Sequence, residues 1–379
     1  MRDGKGPMTR NRLREGFTTG TAATAAAKAA MLRLLGEAAA SEADVPLPRE
    51  GRLHIPVETV VLNGEEAEAV VIKDGGDDPD ATHRARIHAR VRLRKQNGKT
   101  RIRIQGGAGV GRVTRPGLPV PVGEAAINPA PRKQIEAGVR EALEAGGTQG
   151  DVRVIVEVEN GERMARRTLN PRLGIVGGIS ILGTRGTVKP FSNQAYRDTI
   201  SVSMDVAASE GLSTIALSTG GKSERLLQAL HPDLPEAGWV QAGDFFAFSL
   251  QEAAKRGFKT VLYSCFFGKL VKMAQGHPYT HARKARIDFR GLAGWASSAG
   301  ANSSLLERIE GANTSREVLE ILQGDPAVEA FRDDVLRRAV ISARRFLGPR
   351  PSLRMALFDF DGRLLGSMQD AASQAGGDP

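Results

Sequence analysis

Apolar residues change their spacing part-way along this chain, and the change predicts two kinds of architecture. In the first part, Pro48 to Leu62, Glu66 to Lys73, Ala85 to Lys95, Thr100 to Gln105 and Val152 to Val158 read as strands, each a β-branched or alternating run bounded by turn formers. Two helices accompany them. Ala22 to Leu35 is an alanine-rich helix ended near Gly36, and Arg132 to Ala145 follows the break at Asn128-Pro129-Ala130-Pro131 and stops at Gly146-Gly147. From Gly211 the pattern becomes strand Thr214 to Ser218, helix Ser223 to Leu230, strand Trp239 to Gln241, helix Phe245 to Arg256, strand Thr260 to Ser264 and helix Lys269 to Gln275. Strands that alternate with helices predict a parallel sheet. Leu305 to Gln323 and Ala327 to Phe346 read as further helices, and Leu353 to Phe358 as a closing strand.

The expected organisation is therefore an α+β domain at residues 16–170 and an α/β domain with a mainly parallel sheet at 171–366. A basic tail at 1–15 and a disordered tail at 367–379 flank them. Asn97-Gly98 marks a two-residue hairpin turn between Ala85 to Lys95 and Thr100 to Gln105. That register sets Arg94 against Arg101 and Arg92 against Arg103. Like charges opposite one another are unfavourable unless solvent, acidic side chains or a bound anion offsets them; Glu66 and Glu68 on the preceding strand could do so, and a solvated outer face is the simpler explanation.

Leu169 to Phe191 carries the densest glycine pattern. Ile175, Val176, Ile179, Ile181 and Leu182 have the bias of a buried segment, whereas Gly174, Gly177, Gly178, Gly183 and Gly186 remove side chains where a ligand would need close backbone approach. A plain structural strand would not need so many glycines.

Composition narrows the partners. The chain has 379 residues, 41% of them hydrophobic, enough to fill two cores. No run of about 18 apolar residues is present to span a membrane, and Met1 to Glu15 has no apolar stretch for export, so a cytoplasmic protein is expected. The single cysteine, Cys265, excludes an intramolecular disulfide and a cysteine-based metal cluster. A net charge of +10 implies attraction to polyanions, but aromatics make up only 5% and do not interleave with the basic residues. That weakens a stacking platform for nucleic acid and favours a small molecule bearing several acids.

Four segments carry candidate chemistry. Thr18-Thr19-Gly20-Thr21 opens the first helix, where unpaired N–H groups favour an anion, although plain N-capping by Thr21 or Thr19 fits the same spacing. Thr219-Gly220-Gly221-Lys222-Ser223-Glu224 stands at the carboxyl end of a parallel strand before a helix, a place where cofactors bind, and matches neither a Walker loop nor G-x-G-x-x-G. Lys73 to His83 packs Asp74, Asp77, Asp78 and Asp80 into a glycine-broken loop, suited either to a base or ligand site or to a structural turn. His281 and Arg283 follow the last clear strand-helix unit. Gly106 to Arg112 is a further glycine-rich loop whose simplest use is chain reversal. No Ser-His-Asp order and no metal-ligand helix is evident, which suits a reaction that needs neither nucleophile nor metal.

Together these segments resemble the cobalt-precorrin-5B C1-methyltransferase family, CbiD, over nearly the whole chain. The likeness is carried by Gly16 to Thr21 with its Ala/Lys helix, Lys73 to His83, Gly109 to Leu118, Gly123 to Pro129, Asn170 to Thr184 and Gly268 to Lys272. The chain departs from the family pattern at Ala22, Cys265-Phe266-Phe267, Tyr279 and Arg286. The resemblance implies a two-layer α+β domain followed by a Rossmann-like α/β domain. It also implies S-adenosylmethionine-dependent methylation of C-1 of a cobalt-containing corrin precursor, with cobalt belonging to the substrate and no protein-bound metal.

The carboxylate-rich tetrapyrrole is then the partner, with no specific nucleic acid and no membrane, and with a homo-oligomer left open. On this reading Asp77, Asp78 and His281 are the catalytic candidates. Gly174, Gly177, Gly178, Thr184, Thr219, Gly220, Gly221 and Glu224 are the cofactor side, and Thr18, Thr19, Thr21, Arg115, Asn128, Arg172 and Lys269 the substrate side. The alternative from another class is a diverged, non-catalytic tetrapyrrole-binding or carrier protein, motivated by the departures.

Overall fold

The computed structural model describes residues 13–96 and 98–370, which form two compact units dividing between Ser192 and Asn193. In the first unit, helix α1 (Thr19–Leu34) is buried on nearly every side, Thr19 to Ala27 without interruption. Its alanines make that possible, because a helix with small side chains packs closely against a sheet on one face and another helix on the other. The second helix is α2 (Pro129–Ala145). Gly138 of α2 meets α1 so closely that a Cβ there would lie 2.8 Å from Thr24 Cγ2.

The sheet beneath contains β1 (Thr59–Asn63), β2 (Glu66–Ile72), β3 (Arg86–Lys95), β4 (Arg101–Gly106) and β5 (Gly150–Val158), in the order β1-β2-β3-β5-β4. The predicted hairpin is therefore wrong in its pairing. β3 and β4 do not touch each other; β5 lies between them, antiparallel to β3 and parallel to β4. Asn97, the centre of the expected turn, lies outside the described residues.

The reason is burial. Val152, Val154, Val156 and Val158 of β5 are all buried, and a strand of that composition gains most in the middle of a sheet. Arg153 consequently faces both Arg92 and Arg103. Glu66 pairs with Arg92 at 2.7 Å, whereas Glu68 meets His88 at 2.7 Å and, among the described residues, none of the opposed arginines. Glu157 adds a two-pronged contact to Arg90 at 2.9 Å, and Gln105 accepts from Arg153.

Pro48 to Leu62 is not one strand. Arg52–Pro56 pairs with Glu42–Pro46 in a separate two-stranded sheet, and Thr59–Asn63 joins the main sheet as β1. The glycine-rich segment 174–188, expected beyond the boundary at 170, belongs to the first unit. It forms short two-residue pairings: Ile175–Val176 with Arg112–Val113, Gly178–Ile179 with Gly109–Val110, and Thr187–Val188 with Gly16–Phe17.

The second unit opens with a helix the sequence pattern did not reveal, α3 (Asn193–Ser209). Its sheet is built from β6 (Thr214–Ser218), β7 (Trp239–Gln241), β8 (Thr260–Phe266), β9 (Ser352–Phe358) and β10 (Leu364–Gln369), in the order β7-β6-β8-β9-β10. The first four are parallel, as predicted, and β10 closes the edge antiparallel to β9.

Residues 367–369, expected to be disordered, pair with Arg354 to Ala356, because Leu365 and Met368 bring apolar area to the core. Residues 371–379 and 1–12 lie outside the described residues. Helices α4 (Gly221–Leu230), α5 (Phe246–Lys255), α6 (Phe267–Ala274) and α7 (Ala327–Leu347) flank this sheet. Leu305 to Gln323 is two helices rather than one, split at Gly311 and restarted by a Thr314 cap on Glu317. Cys265 is buried in β8, and burial pushes its thiol up to about 12, so it serves packing and not nucleophilic chemistry. No helix among the described residues is long and apolar enough to cross a membrane.

Candidate functional site

Within 174–186, Gly178 admits this chain's own backbone, while Gly174, Gly183 and Gly186 admit its side chains. A Cβ on Gly178 would lie 2.1 Å from the carbonyl oxygen of Gly109, and one on Gly161 also 2.1 Å from it. Gly183 is pressed against Thr18, Gly174 against the Arg115 side chain, and Gly186 against Leu47. The inference that a structural strand would not need so many glycines is thus overturned: three chain segments cross here at main-chain distance. Gly177 differs. It has φ +84 with open space around it, next to the exposed Val176 and three residues before the anchored Ser180. Thr184 is exposed.

The threonine turn fastens the same segment. Thr18 caps α1 by accepting from the Thr21 N–H, while Thr21 donates to the Gly186 carbonyl at 2.8 Å. Thr19 Oγ1 accepts from Leu182 N at 2.9 Å and lies 3.2 Å from the Ser180 and Leu182 carbonyls. Both the expected N-cap residues, Thr19 and Thr21, point elsewhere, and Thr18 is the cap. Asn128 precedes α2, and its N–H reaches the Ile181 carbonyl. Arg115 donates to the Arg172 carbonyl at 3.1 Å.

The acidic loop is equally committed to the chain. Lys73 is almost fully buried and pairs with Asp80, which also accepts from Thr82 N–H and Oγ1 at 2.7 Å. Asp74 pairs with Arg14, Asp77 accepts from Arg14 N at 2.7 Å, and Asp78 accepts from Phe191 N at 3.0 Å. The two carboxylates singled out as catalytic thus hold the main chain at residues 14 and 191. Phe191 itself has φ +54, a strained setting for a non-glycine residue.

In the second unit a cavity of about 1390 Å³ opens where β6, β8 and β9 end. The floor is formed by Thr219 to Lys222, Phe266 to Lys269 and Phe358 to Asp361, so the starts of α4 and α6 both meet it. Order in the sheet explains the opening. The chain leaves β6 for β7 on one side and returns to β8 on the other, and at such a reversal the connecting helices diverge and leave a crevice.

Side chains hold the glycine turn in shape. Ser223 donates to the Gly220 carbonyl and Ser264 to the Ser223 carbonyl, each at 3.0 Å. Glu224, buried, accepts from Gln241 at 3.1 Å and supports the turn from behind rather than lining the cavity.

The walls are basic. Lys269, Lys272, Arg286, Arg316 and Arg332 line the cavity. Lys269 contacts Asp244, which also accepts from Thr280 Oγ1 at 3.1 Å, while Lys272 donates to the Thr280 carbonyl at 3.1 Å. Burial, and then the neighbouring Lys272 charge, hold the Lys269 ammonium down at about 8 despite the Asp244 contact.

His281 does not line the cavity. Its ring stacks on Tyr279 with centroids 5.8 Å apart, and its Nδ1 accepts from Arg283 N. Asp244, Arg316, Arg332 and Phe360 escaped the sequence reading. Asp244 had one usable signal, its place just beyond the carboxyl end of β7; the others come from distant segments that only folding brings together.

The geometry is that of a crevice with more basic than acidic side chains in its lining, in a chain whose two parts match one family in order. Residues 7–190 match CbiD, and residues 279–369 match the CbiD C-terminal domain. The chain belongs to the CbiD family.

A relative from Nitratidesulfovibrio vulgaris, named cobalt-precorrin-5B C(1)-methyltransferase, is 52% identical over 94% of this chain and 92% of its own length. One from Geobacillus sp. strain WCH70, with the same name, is 45% identical over 94% of this chain and 97% of its own. A solved CbiD, a cobalamin biosynthesis protein from Archaeoglobus fulgidus, is 28% identical, with 68% of this chain and 78% of that one covered at a TM-score of 0.38.

Proposed function

We propose that this CbiD family member is a cobalt-precorrin-5B C1-methyltransferase that takes its methyl group from S-adenosylmethionine, bound in the carboxyl-end cavity of the second unit. Sequence identity of 52% to a relative of that name, across almost the full length of both chains, is the observation that carries the activity. The cavity supports the donor site. Four parallel strands with an order reversal between β6 and β8 leave a crevice at the carboxyl ends, a place where nucleotide-bearing ligands bind in open α/β sheets, and this supports reading the unit as Rossmann-like.

The donor, when bound, supplies an electrophilic methyl on a sulfonium. The chain's own residues then position and exclude water. Thr219 to Gly221 keep side chains out of the way at the start of α4, with Glu224 and Ser223 bracing the turn. Lys269, with Lys272 beside it, offers charge-assisted hydrogen bonds to acetate or propionate groups of the corrin precursor. In the first unit, Arg115 and Arg172 are the side chains we assign to substrate carboxylates. Thr18, Thr19 and Thr21 act indirectly by fixing segment 180–187, and Asp77 and Asp78 by fixing residues 14 and 191. Methyl transfer is an in-line displacement, for which alignment in a dry site supplies most of the acceleration. A cytoplasmic setting accords with a soluble, carboxylate-rich substrate.

Incubation with methyl-labelled S-adenosylmethionine and cobalt-precorrin-5B tests this directly: labelled corrin and S-adenosylhomocysteine are expected, and corrinoid binding without label transfer would leave a carrier. For the cavity, Gly268→Leu is the probe. A Cβ there meets only the Ser315 hydroxyl, at 3.0 Å, so the variant is expected to fold and fill the space. Isothermal titration should show S-adenosylhomocysteine bound about tenfold more weakly; unchanged affinity would move the donor elsewhere.

Substrate recognition should also follow pH. Lys269 is charged below about 8 and neutral above it, so KM for the corrin precursor is expected to rise between about pH 7 and about pH 9. Lys269→Arg, charged throughout, should lose that dependence.

A further inference from the structure

One edge of the cavity is aromatic, and no step of the methyl transfer uses it. Phe266, the last residue of β8, and Phe360, in the turn between β9 and β10, stack with centroids 4.6 Å apart and planes 9° from parallel. Phe266 is half-buried against the small core cluster of Leu227, Trp239 and Phe358. Phe360 is 55% exposed. The Lys222 ammonium lies 5.7 Å from the Phe360 ring centroid and donates to the Phe360 carbonyl, so the turn is tied to the first residues of α4. Asp359 accepts from Arg363 N at 2.8 Å and closes the same turn.

A half-exposed phenyl outside the core leaves apolar area in water that its fold does not require. Here that area faces a cavity, beside the glycine turn, on a backing ring that is held in place. A planar ring cannot enter between two rings 4.6 Å apart, so a flat ligand must pack against the pair as a unit. Electron-poor heteroaromatic bases bind such surfaces by offset stacking.

We propose that Phe360, backed by Phe266 and steered by Lys222, is the stacking platform for the adenine ring of the methyl donor. This rests on the reading of the cavity as the donor site. It assigns the donor's two ends: the base lies at the β8–β9 edge, and the remainder of the molecule extends toward α4 and α6.

Titration calorimetry with S-adenosylhomocysteine and with adenosine, on the full chain, tests the assignment in three proteins. Phe360→Ala should weaken both probes by about tenfold, and Phe360→Tyr, which keeps a flat ring, should restore them. The exposed site makes unfolding of the alanine variant unexpected, and its thermal transition should match the parent's. Equal affinity of the parent and a folded Phe360→Ala for S-adenosylhomocysteine overturns the platform while leaving the donor site intact. Loss in Phe360→Ala that Phe360→Tyr fails to restore also overturns it. A parent that binds no S-adenosylhomocysteine at all removes the donor site, and the platform with it.

Discussion

Gly178→Ala should cost the first unit about 3 kcal/mol or more, read as a large drop in the midpoint of thermal or denaturant unfolding. The added methyl would sit 2.1 Å from the Gly109 carbonyl oxygen and 2.3 Å from its carbon, far inside van der Waals contact. Neither neighbour can yield cheaply. Gly178 and Gly109 are paired across a parallel bridge, Gly109 is itself pressed against the Val158 carbonyl at the end of β5, and Gly161 crowds it from a third side. A loss of that size is a large share of a domain's usual stability of about 5–15 kcal/mol.

The neighbouring substitution is the control. Gly177→Ala places its methyl in open space and bears only the cost of a left-handed backbone at φ +84, about 1 kcal/mol. A loss at Gly178→Ala no larger than that at Gly177→Ala would show that the crossing of chains is not what demands glycine at 178.

Asp80→Asn is expected to destabilise by about 3–5 kcal/mol, because it leaves the Lys73 ammonium buried without a countercharge. Burial works to raise the Asp80 pKa, but the Lys73 charge and the hydrogen bonds from Lys73 and Thr82 outweigh it and hold the group below the ordinary carboxylate value. The sign follows from that direction. A carboxyl whose folded pKa is depressed contributes stability above its unfolded pKa of about 3.9, and the contribution is lost as pH falls toward the folded pKa.

The parent should therefore lose stability below about pH 4, and Asp80→Asn should lose less of it over the same range. Asp74, held down by Arg14, and Glu141, held at about 2 by Arg52 and then Lys28, act in the same window and keep some acid dependence in the variant. Unfolding curves from neutral to acid pH check both parts. An unaltered acid profile would mean that the Lys73–Asp80 pair is not what the loop stabilises. Lys73→Met with Asp80→Leu, removing both charges, should recover much of the loss.

Most strands and helices were legible because local chemistry decides them. Val152 to Val158 could hardly be anything but a strand, and the alternation from Thr214 onward announced a parallel sheet. Partnership was not legible. Asn97-Gly98 is a sound hairpin signal for its two neighbours, yet β5, arriving from fifty residues further along, displaced the nearer strand, since four buried valines gain more at the centre than at an edge. The same holds for α3, whose mixed surface hid its period, and for Leu364–Gln369, where only packing onto β9 gives a strand.

The site divides along the same line. Thr219 to Lys222 could be picked out because a glycine turn after a parallel strand marks a carboxyl-end crevice, and Lys269 through the resemblance of Gly268 to Lys272 to the family. Arg316, Arg332 and Phe360 could not, being brought to that crevice by segments with no local signature. The glycines of 174–186 were the most visible feature and the most ambiguous. Sequence says that a backbone must be approached closely there; it cannot say by what.

By itself, then, the sequence determined the family, most of the elements and the basic character of the chain, because each is a sum over local residue properties. Tertiary structure alone decided which strand lies beside which, which acids are already claimed by Lys73, Arg14 and the main chain, and which glycines face protein. Those outcomes depend on competition among distant segments for the same buried positions, and that competition is resolved only when the whole chain is folded.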